Sequence, residues 1–173
     1  METKLNQPLN DTAPEQSMPS EILGPGDLDQ SLAYLIRRTH QAFTKALEVR
    51  LKPHNISVSM WFFFRVLWKE DGKNQRELSD ELGLTQATTV SAMDNMEARG
   101  FVKRVRDKVD RRKTNIFLTS EGRSLEAELM PHAAAVNALA ISMIPLSDLD
   151  CVKTNLSNVL NRLQEELNTG GEE

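Results

Sequence analysis

From residue 28 onward the apolar positions fall at helical spacing. Leu28, Leu32, Leu35, Ile36, Phe43 and Leu47 lead to Leu51, and Pro53, which lacks a backbone donor, stops the run. Val58 to Lys69 predicts a short helix that is apolar nearly all round, with Trp61, Phe62, Phe63, Phe64, Val66, Leu67 and Trp68. Such a helix needs cover on several sides. It ends at Asp71-Gly72. Asn74 then reads as an N-cap with Glu77 three residues on, the spacing of a capping box, and Leu78 and Leu82 form the buried edge of the helix it starts. Gly83 breaks that helix. Thr85 caps another, running to about Arg99, whose inner stripe is Thr89, Ala92 or Met93, and Met96. Gly100 suits the position just past its end.

The period then drops to two. Phe101, Val102 and Val105 alternate with Lys103, Arg104 and Arg106, and after a polar stretch from Asp107 to Lys113 comes Thr114-Asn115-Ile116-Phe117-Leu118. This predicts a β-hairpin over 101–118 with a long charged tip. Thr119 or Ser120 starts a helix carrying Leu125, Leu129, Val136 and Ala140, with Pro131 expected to kink it and Pro145 to end it. Ser147, with Asp150 at the third helical position, is expected to start a last helix bearing Leu149, Val152, Leu156, Val159, Leu160, Leu163 and Leu167.

The predicted fold class is mainly α with a small β-hairpin wing. Residues 58–119 suffice for a winged helix–turn–helix lobe. The stripes on 28–51 and 120–168 are too long for that lobe's core to cover, so a symmetric homodimer is expected to bury them as dimerisation helices. Residues 28–168 are read as a single domain. Residues 1–26, with four of the seven prolines, are expected to be a flexible N-terminal arm, and 169–173 a frayed tail.

Charge changes this picture. The chain of 173 residues carries a net −4, which excludes a uniformly basic binder. Yet Arg99, Lys103, Arg104, Arg106, Lys108, Arg111, Arg112 and Lys113 are opposed only by Asp107 and Asp110, a local +6 that leaves the remainder at −10. A compact basic finger directly after a helix–turn–helix fits the phosphate density of duplex DNA, and the acidic remainder would orient it. A solvated loop is the plainer alternative. The helix from Thr85 presents Gln86, Ala87, Thr88, Val90, Ser91 and Asn95 outward. These short amide, hydroxyl and methyl groups can meet base edges and thymine methyls in a major groove, Gln86 and Asn95 having the bidentate chemistry that pairs with adenine.

Other classes find little support. His40, His54, His132 and the single Cys151 lack metal-ligand spacing, so no metal and no cofactor are expected. Cys151 is read as a small packing residue. There is no phosphate loop, nucleophile elbow, carboxylate pair or triad, so the protein is not expected to be an enzyme. No apolar run is long enough to span a bilayer, no secretory leader is evident, and no membrane partner is expected.

The runs Gln75-Arg76-Glu77-Leu78-Ser79, Leu82-Gly83-Leu84, Met96 to Val102, Asp110-Arg111-Arg112 and Leu118-Thr119-Ser120-Glu121-Gly122, taken together, resemble the MarR family of bacterial transcription regulators. The resemblance covers roughly 28–168 and is tightest over 75–122. It implies a cytoplasmic, nucleoid-associated homodimer whose two winged lobes grip a pseudo-palindromic double-stranded operator. It further implies that Arg112 enters the minor groove, that Asp110 orients Arg112 through a salt bridge, and that Arg111 contacts a phosphate or solvent. Arg106, Lys108 and Lys113 complete the candidate wing contacts. Family members commonly respond to small phenolic or aromatic acids, in a crevice that would here draw on Arg37, His40, Trp61, Phe64 and Arg65: an arginine for a carboxylate, aromatic rings for walls. The alternative is that these aromatics are plain core and the arginines solvated. The expected function is a repressor released by such an effector. The alternatives are a ligand-independent regulator, an activator, or a winged-helix module for protein–protein contact.

Overall fold

The computed structural model describes residues 31–107, 110 and 113–169. The expected arm at 1–26, the beginning of the helix expected from Leu28, Lys108, Val109, Arg111, Arg112 and the end of the tail lie outside the described residues. The chain divides into two compact units, residues 1–41 and 42–173. Helix α1 (Leu32–Leu51) crosses that division. In the first unit Leu32, Leu35 and Ile36 are exposed, and the Arg37 and Arg38 guanidinium carbons lie 5.3 and 5.9 Å from the centre of the Tyr34 ring.

The second unit begins with the rest of α1, where Leu47 and Leu51 are buried. A 3-10 turn (Lys52–His54) carries Pro53 and closes at Asn55 in a left-handed conformation, φ 57°. Helix α2 (Val58–Lys69) is capped by Ser57, whose Oγ accepts from the Met60 N–H at 3.2 Å. As its sequence demands, α2 is covered on several sides, by α3 (Gln75–Leu82), α4 (Gln86–Ala98), strand β2 (Thr114–Leu118) and α5 (Ser120–Ile141). Phe63, Phe64 and Leu67 are fully buried, each such side chain contributing about 1.5–3 kcal/mol of transfer free energy. Phe64 stacks on Trp68 with centroids 5.1 Å apart and meets Phe101 edge-on at 5.5 Å. Phe62 is the exception and faces outward.

Asn74 and Glu77 form the expected capping box on α3: the Asn74 side chain accepts from the Arg76 and Glu77 N–H groups, and Glu77 accepts from the Asn74 N–H at 2.8 Å. Gly83 ends α3 at φ 62°, where a side chain would be strained. Thr85 caps α4 and accepts from the Thr88 N–H at 3.2 Å. Strand β1 (Val102–Arg106) pairs antiparallel with β2 in the register Val102 to Leu118 and Arg106 to Thr114. The loop ahead of α3 joins this hairpin, which the sequence had not suggested. Ile116 N–H donates to the Lys73 carbonyl at 2.8 Å and Gly72 N–H to the Ile116 carbonyl at 3.0 Å.

Thr119 caps α5, which runs unbroken through Pro131. The last helix, α6, is Leu146–Thr169. Its start corrects the expectation at Ser147: the first helical residue is Leu146, two residues before the expected Asp148, the Asp148 N–H donates to the Pro145 carbonyl at 2.9 Å, and the Ser147 hydroxyl bonds to Asp148 Oδ1 instead of capping. Proline's fixed φ suits this entry. Cys151 is corrected too. It is exposed and does not pack within its own chain, because α6 buries none of its side chains there. Leu156, Leu160, Leu163 and Leu167 all face outward. Among the described residues no single helix is long and apolar enough to cross a membrane.

Candidate nucleic-acid interface

Helix α4 is divided lengthwise. Thr89, Met93 and Met96 point into the core with no exposed surface, while Thr85, Gln86, Ala87, Thr88, Val90, Ser91 and Asn95 are exposed. The inner stripe explains this division. Burial of Met93 and Met96 against the hydrophobic core fixes the rotation of the helix, and the faces follow from its 100° step. Between that outer face and the start of α2 lies an open groove of about 540 Å³. Ser57 and Ser59 border it on one side, Ala87, Thr88, Ser91 and Asn95 on the other. The two α2 serines were not singled out from the sequence. Their signal was the Ser57 cap position, which says where a helix starts but not what it starts beside.

The basic run divides as well. Lys103, Arg106 and Lys113 are exposed, as a charged surface requires. Arg99 is not free for a phosphate. Its Nη1 donates to the Asn55 carbonyl at 2.7 Å, and its guanidinium carbon sits 4.7 Å from the centre of the Phe101 ring. Arg104 is bound to α4 three times. Its backbone N–H donates to Glu97 Oε1 at 3.0 Å, its Nη1 to Glu97 Oε2, and its Nη2 to Asp94 Oδ1 at 2.6 Å. Partial burial disfavours the charge, but the hydrogen bonds that the guanidinium donates to Glu97 and Asp94 outweigh it and hold it above its ordinary pKa. Among the described cations of the run, Arg104 is therefore paired with carboxylates and Arg99 is engaged by a main-chain carbonyl, while Lys103, Arg106 and Lys113 are exposed.

At the tip, the Asp107 N–H donates to the Lys113 carbonyl and the Lys113 N–H to the Asp110 carbonyl, both at 2.9 Å. Asp107 Oδ1 accepts from the Asp110 N–H at 2.9 Å. This closed turn sets where the wing's end begins. Lys108, Arg111 and Arg112 lie outside the described residues, and with them the Asp110–Arg112 pairing.

The effector candidates are distributed between the units. Arg37 and His40 are exposed in the first. In the second, Arg65 is exposed, its guanidinium carbon 5.6 Å from the centre of the Trp61 ring and its Nη1 donating to Met130 Sδ at 3.1 Å. Trp61 is buried, and Phe64 has no exposed surface in this conformation. His54 and His132, which sequence spacing keeps apart, meet with Nε2 atoms 3.0 Å apart, and His54 Nδ1 lies 2.6 Å from Glu128 Oε1. Among the described residues no group of three or more His, Cys, Asp or Glu side chains is placed to hold a metal ion.

A helix–turn–helix followed by a hairpin, with a polar outer helix face, defines a winged helix–turn–helix protein. Residues 56–114 match the sequence model of the MarR family. The transcriptional regulator TtmR of Methylorubrum extorquens is 32% identical over 124 residues, 69% of this chain and 64% of the relative's length. A MarR transcriptional regulator of Methanosarcina mazei superposes with a TM-score of 0.72 at 25% identity, over 78% of this chain and 96% of that one. CouR of Rhodococcus jostii, solved with p-coumaroyl-CoA bound, gives 0.69 at 25% identity over 77% and 94%. The winged lobe, residues 56–114, belongs to the MarR family.

Proposed function

We propose that the protein is a homodimeric repressor that binds a pseudo-palindromic double-stranded DNA operator and is released by a small aromatic or phenolic acid. The observation that carries the DNA reading is the division of α4: a fully buried apolar stripe on one side and a continuous face of short amide, hydroxyl and methyl groups on the other. In the proposed complex that face lies in a major groove, with Gln86 and Asn95 toward base edges and Ser91 and Thr88 beside them. Arg106 and Lys113 neutralise phosphates on the way to the wing tip, where Arg112 enters the minor groove, whose narrow form concentrates negative potential. Two such lobes would meet half-sites about one helical turn apart. The protein would then act in the bacterial cytoplasm, at the nucleoid.

For the effector, the support is Arg65 and the relative CouR. Arg65 is an exposed guanidinium over an aromatic ring, the pairing that suits an aromatic carboxylate. CouR was solved with p-coumaroyl-CoA bound, which supports an aromatic ligand; its acyl carbon is a thioester, so the carboxylate part of the reading rests on Arg65 alone. Release follows if the effector binds the DNA-free arrangement of the lobes more tightly than the DNA-bound one.

The test is binding of fluorescent duplexes by the full chain and by Asn95→Ala and Arg112→Ala. Each substitution is expected to weaken specific binding by about 1–3 kcal/mol. An unchanged affinity in Arg112→Ala removes the wing from the mechanism. No binding of any duplex at low salt would favour a protein-docking module instead.

A further inference from the structure

We infer that Arg104 is a positioning residue for DNA recognition: it pins the wing to the recognition helix and does not itself touch DNA. The inference rests on the regulator reading above and concerns how that site is set. Arg104 is the third residue of β1, at the base of the wing, and Asp94 and Glu97 lie on α4 one turn apart. Glu97 takes both the main-chain N–H and the guanidinium of Arg104, and Asp94 takes the guanidinium's other arm. Three contacts from one residue of a strand to one edge of a helix leave little freedom in the angle between them. That angle matters because the proposed complex asks α4 to sit in the major groove while the wing, on β1 and β2, reaches the adjacent minor groove. An error of an ångström or two at the hairpin base grows along its length.

The chemistry argues against the opposite role. A guanidinium bonded to two carboxylates is already neutralised, and turning it toward a phosphate would leave Asp94 and Glu97 unpaired close to a polyanion. The pin also gives the two acidic residues of α4's C-terminal half a purpose. Without it they would only repel DNA.

The experiment compares wild type with Glu97→Gln, Arg104→Gln and Asp94→Asn. Each is titrated, across a range of salt, against a duplex enriched from a random pool and against a random-sequence duplex of equal length. Loss of the pin is expected to lower specific affinity about tenfold in Glu97→Gln and Arg104→Gln, and less in Asp94→Asn, which removes one arm. Binding to the random duplex should hold or tighten in Glu97→Gln. The slope of log affinity against log salt should stay that of wild type. The sign for Glu97→Gln is diagnostic, since simple electrostatics makes removal of a negative charge strengthen DNA binding everywhere. The inference is overturned if Glu97→Gln tightens the specific complex, or if Arg104→Gln weakens both duplexes and lowers the slope by about 0.9 per subunit, the mark of a lost phosphate contact. It is equally overturned if neither variant changes discrimination. Far-ultraviolet circular dichroism confirms folding, and Asp94→Asn, on an exposed side chain, keeps the test open if Arg104→Gln does not fold. If wild type enriches no duplex, the regulator reading falls and the pin with it, a result distinct from the others.

Discussion

Ser79 on α3 and Thr89 on α4 are hydrogen-bonded hydroxyl to hydroxyl at 2.9 Å, and both are almost wholly buried. Ser79 Oγ also donates to the Gln75 carbonyl at 2.8 Å. A polar contact between the two helices of a helix–turn–helix is directional where apolar packing is not. Together with the burial of Met93 and Met96 it sets how α4 is rotated against α3, and so which residues of α4 face outward.

Removing one partner leaves the other unsatisfied in the interior. Ser79→Ala should destabilise the chain by about 1–3 kcal/mol, the cost of a buried orphaned hydroxyl. Thr89→Val keeps shape and leaves Ser79 its bond to Gln75, so it should cost less. The double variant should cost less than the sum. Urea denaturation of the three variants measures this, and strict additivity would mean that the two hydroxyls are not coupled.

Glycine substitutions separate close approach from backbone strain. A Cβ at Gly122 would lie 2.2 Å from the Phe101 carbonyl oxygen, where α5 starts against the end of α4's loop. The Gly122 carbonyl also accepts from Trp68 Nε1 at 2.9 Å. Gly122→Ala should therefore destabilise by about 1–3 kcal/mol or more through overpacking. At Gly83 the space is open and only φ is unfavourable. Gly83→Ala should cost about 1 kcal/mol. Thermal melts that rank the two the other way would contradict the packing described around Trp68.

Much of this architecture is written locally in the sequence. The capping box at Asn74 and Glu77, the caps at Thr85 and Thr119, and the buried stripe of α4 all depend on residues within two turns of each other, so spacing alone reveals them. The Thr85–Asn95 face was legible for the same reason. The contacts that spacing does not reveal join residues set beside each other by the path of the chain. Arg104 reads as one more cation in a basic run until the hairpin folds it back onto Glu97 and Asp94. His54 and His132 are separated by 78 positions. The loop that pairs Lys73 with Ile116 has no strand periodicity of its own. At Ser147 a local pattern misled, because Ser followed by Asp three residues on imitates a cap while the helix already starts at Leu146, directly after Pro145.

The exposed leucines of α6 predict an assembly. Leu156, Leu160, Leu163 and Leu167 recur at three- and four-residue spacing with no cover from their own chain. In the proposed dimer a second copy covers them. Replacing Leu160 and Leu163 with Glu should leave the helical circular-dichroism signal intact, convert a sedimenting dimer to a monomer, and weaken operator binding by removing one of two half-site contacts. Wild type sedimenting as a stable monomer at micromolar concentration would contradict the dimer.

Selection of duplexes from a random-sequence pool by the full chain, followed by affinity against salt, tests the central claim most directly. The account predicts enrichment of an inverted repeat with half-site centres about 10 base pairs apart. Affinity for it should fall steeply, by orders of magnitude, between about 50 and 200 mM salt. A pool that gains no sequence preference, or an affinity indifferent to salt, would contradict it.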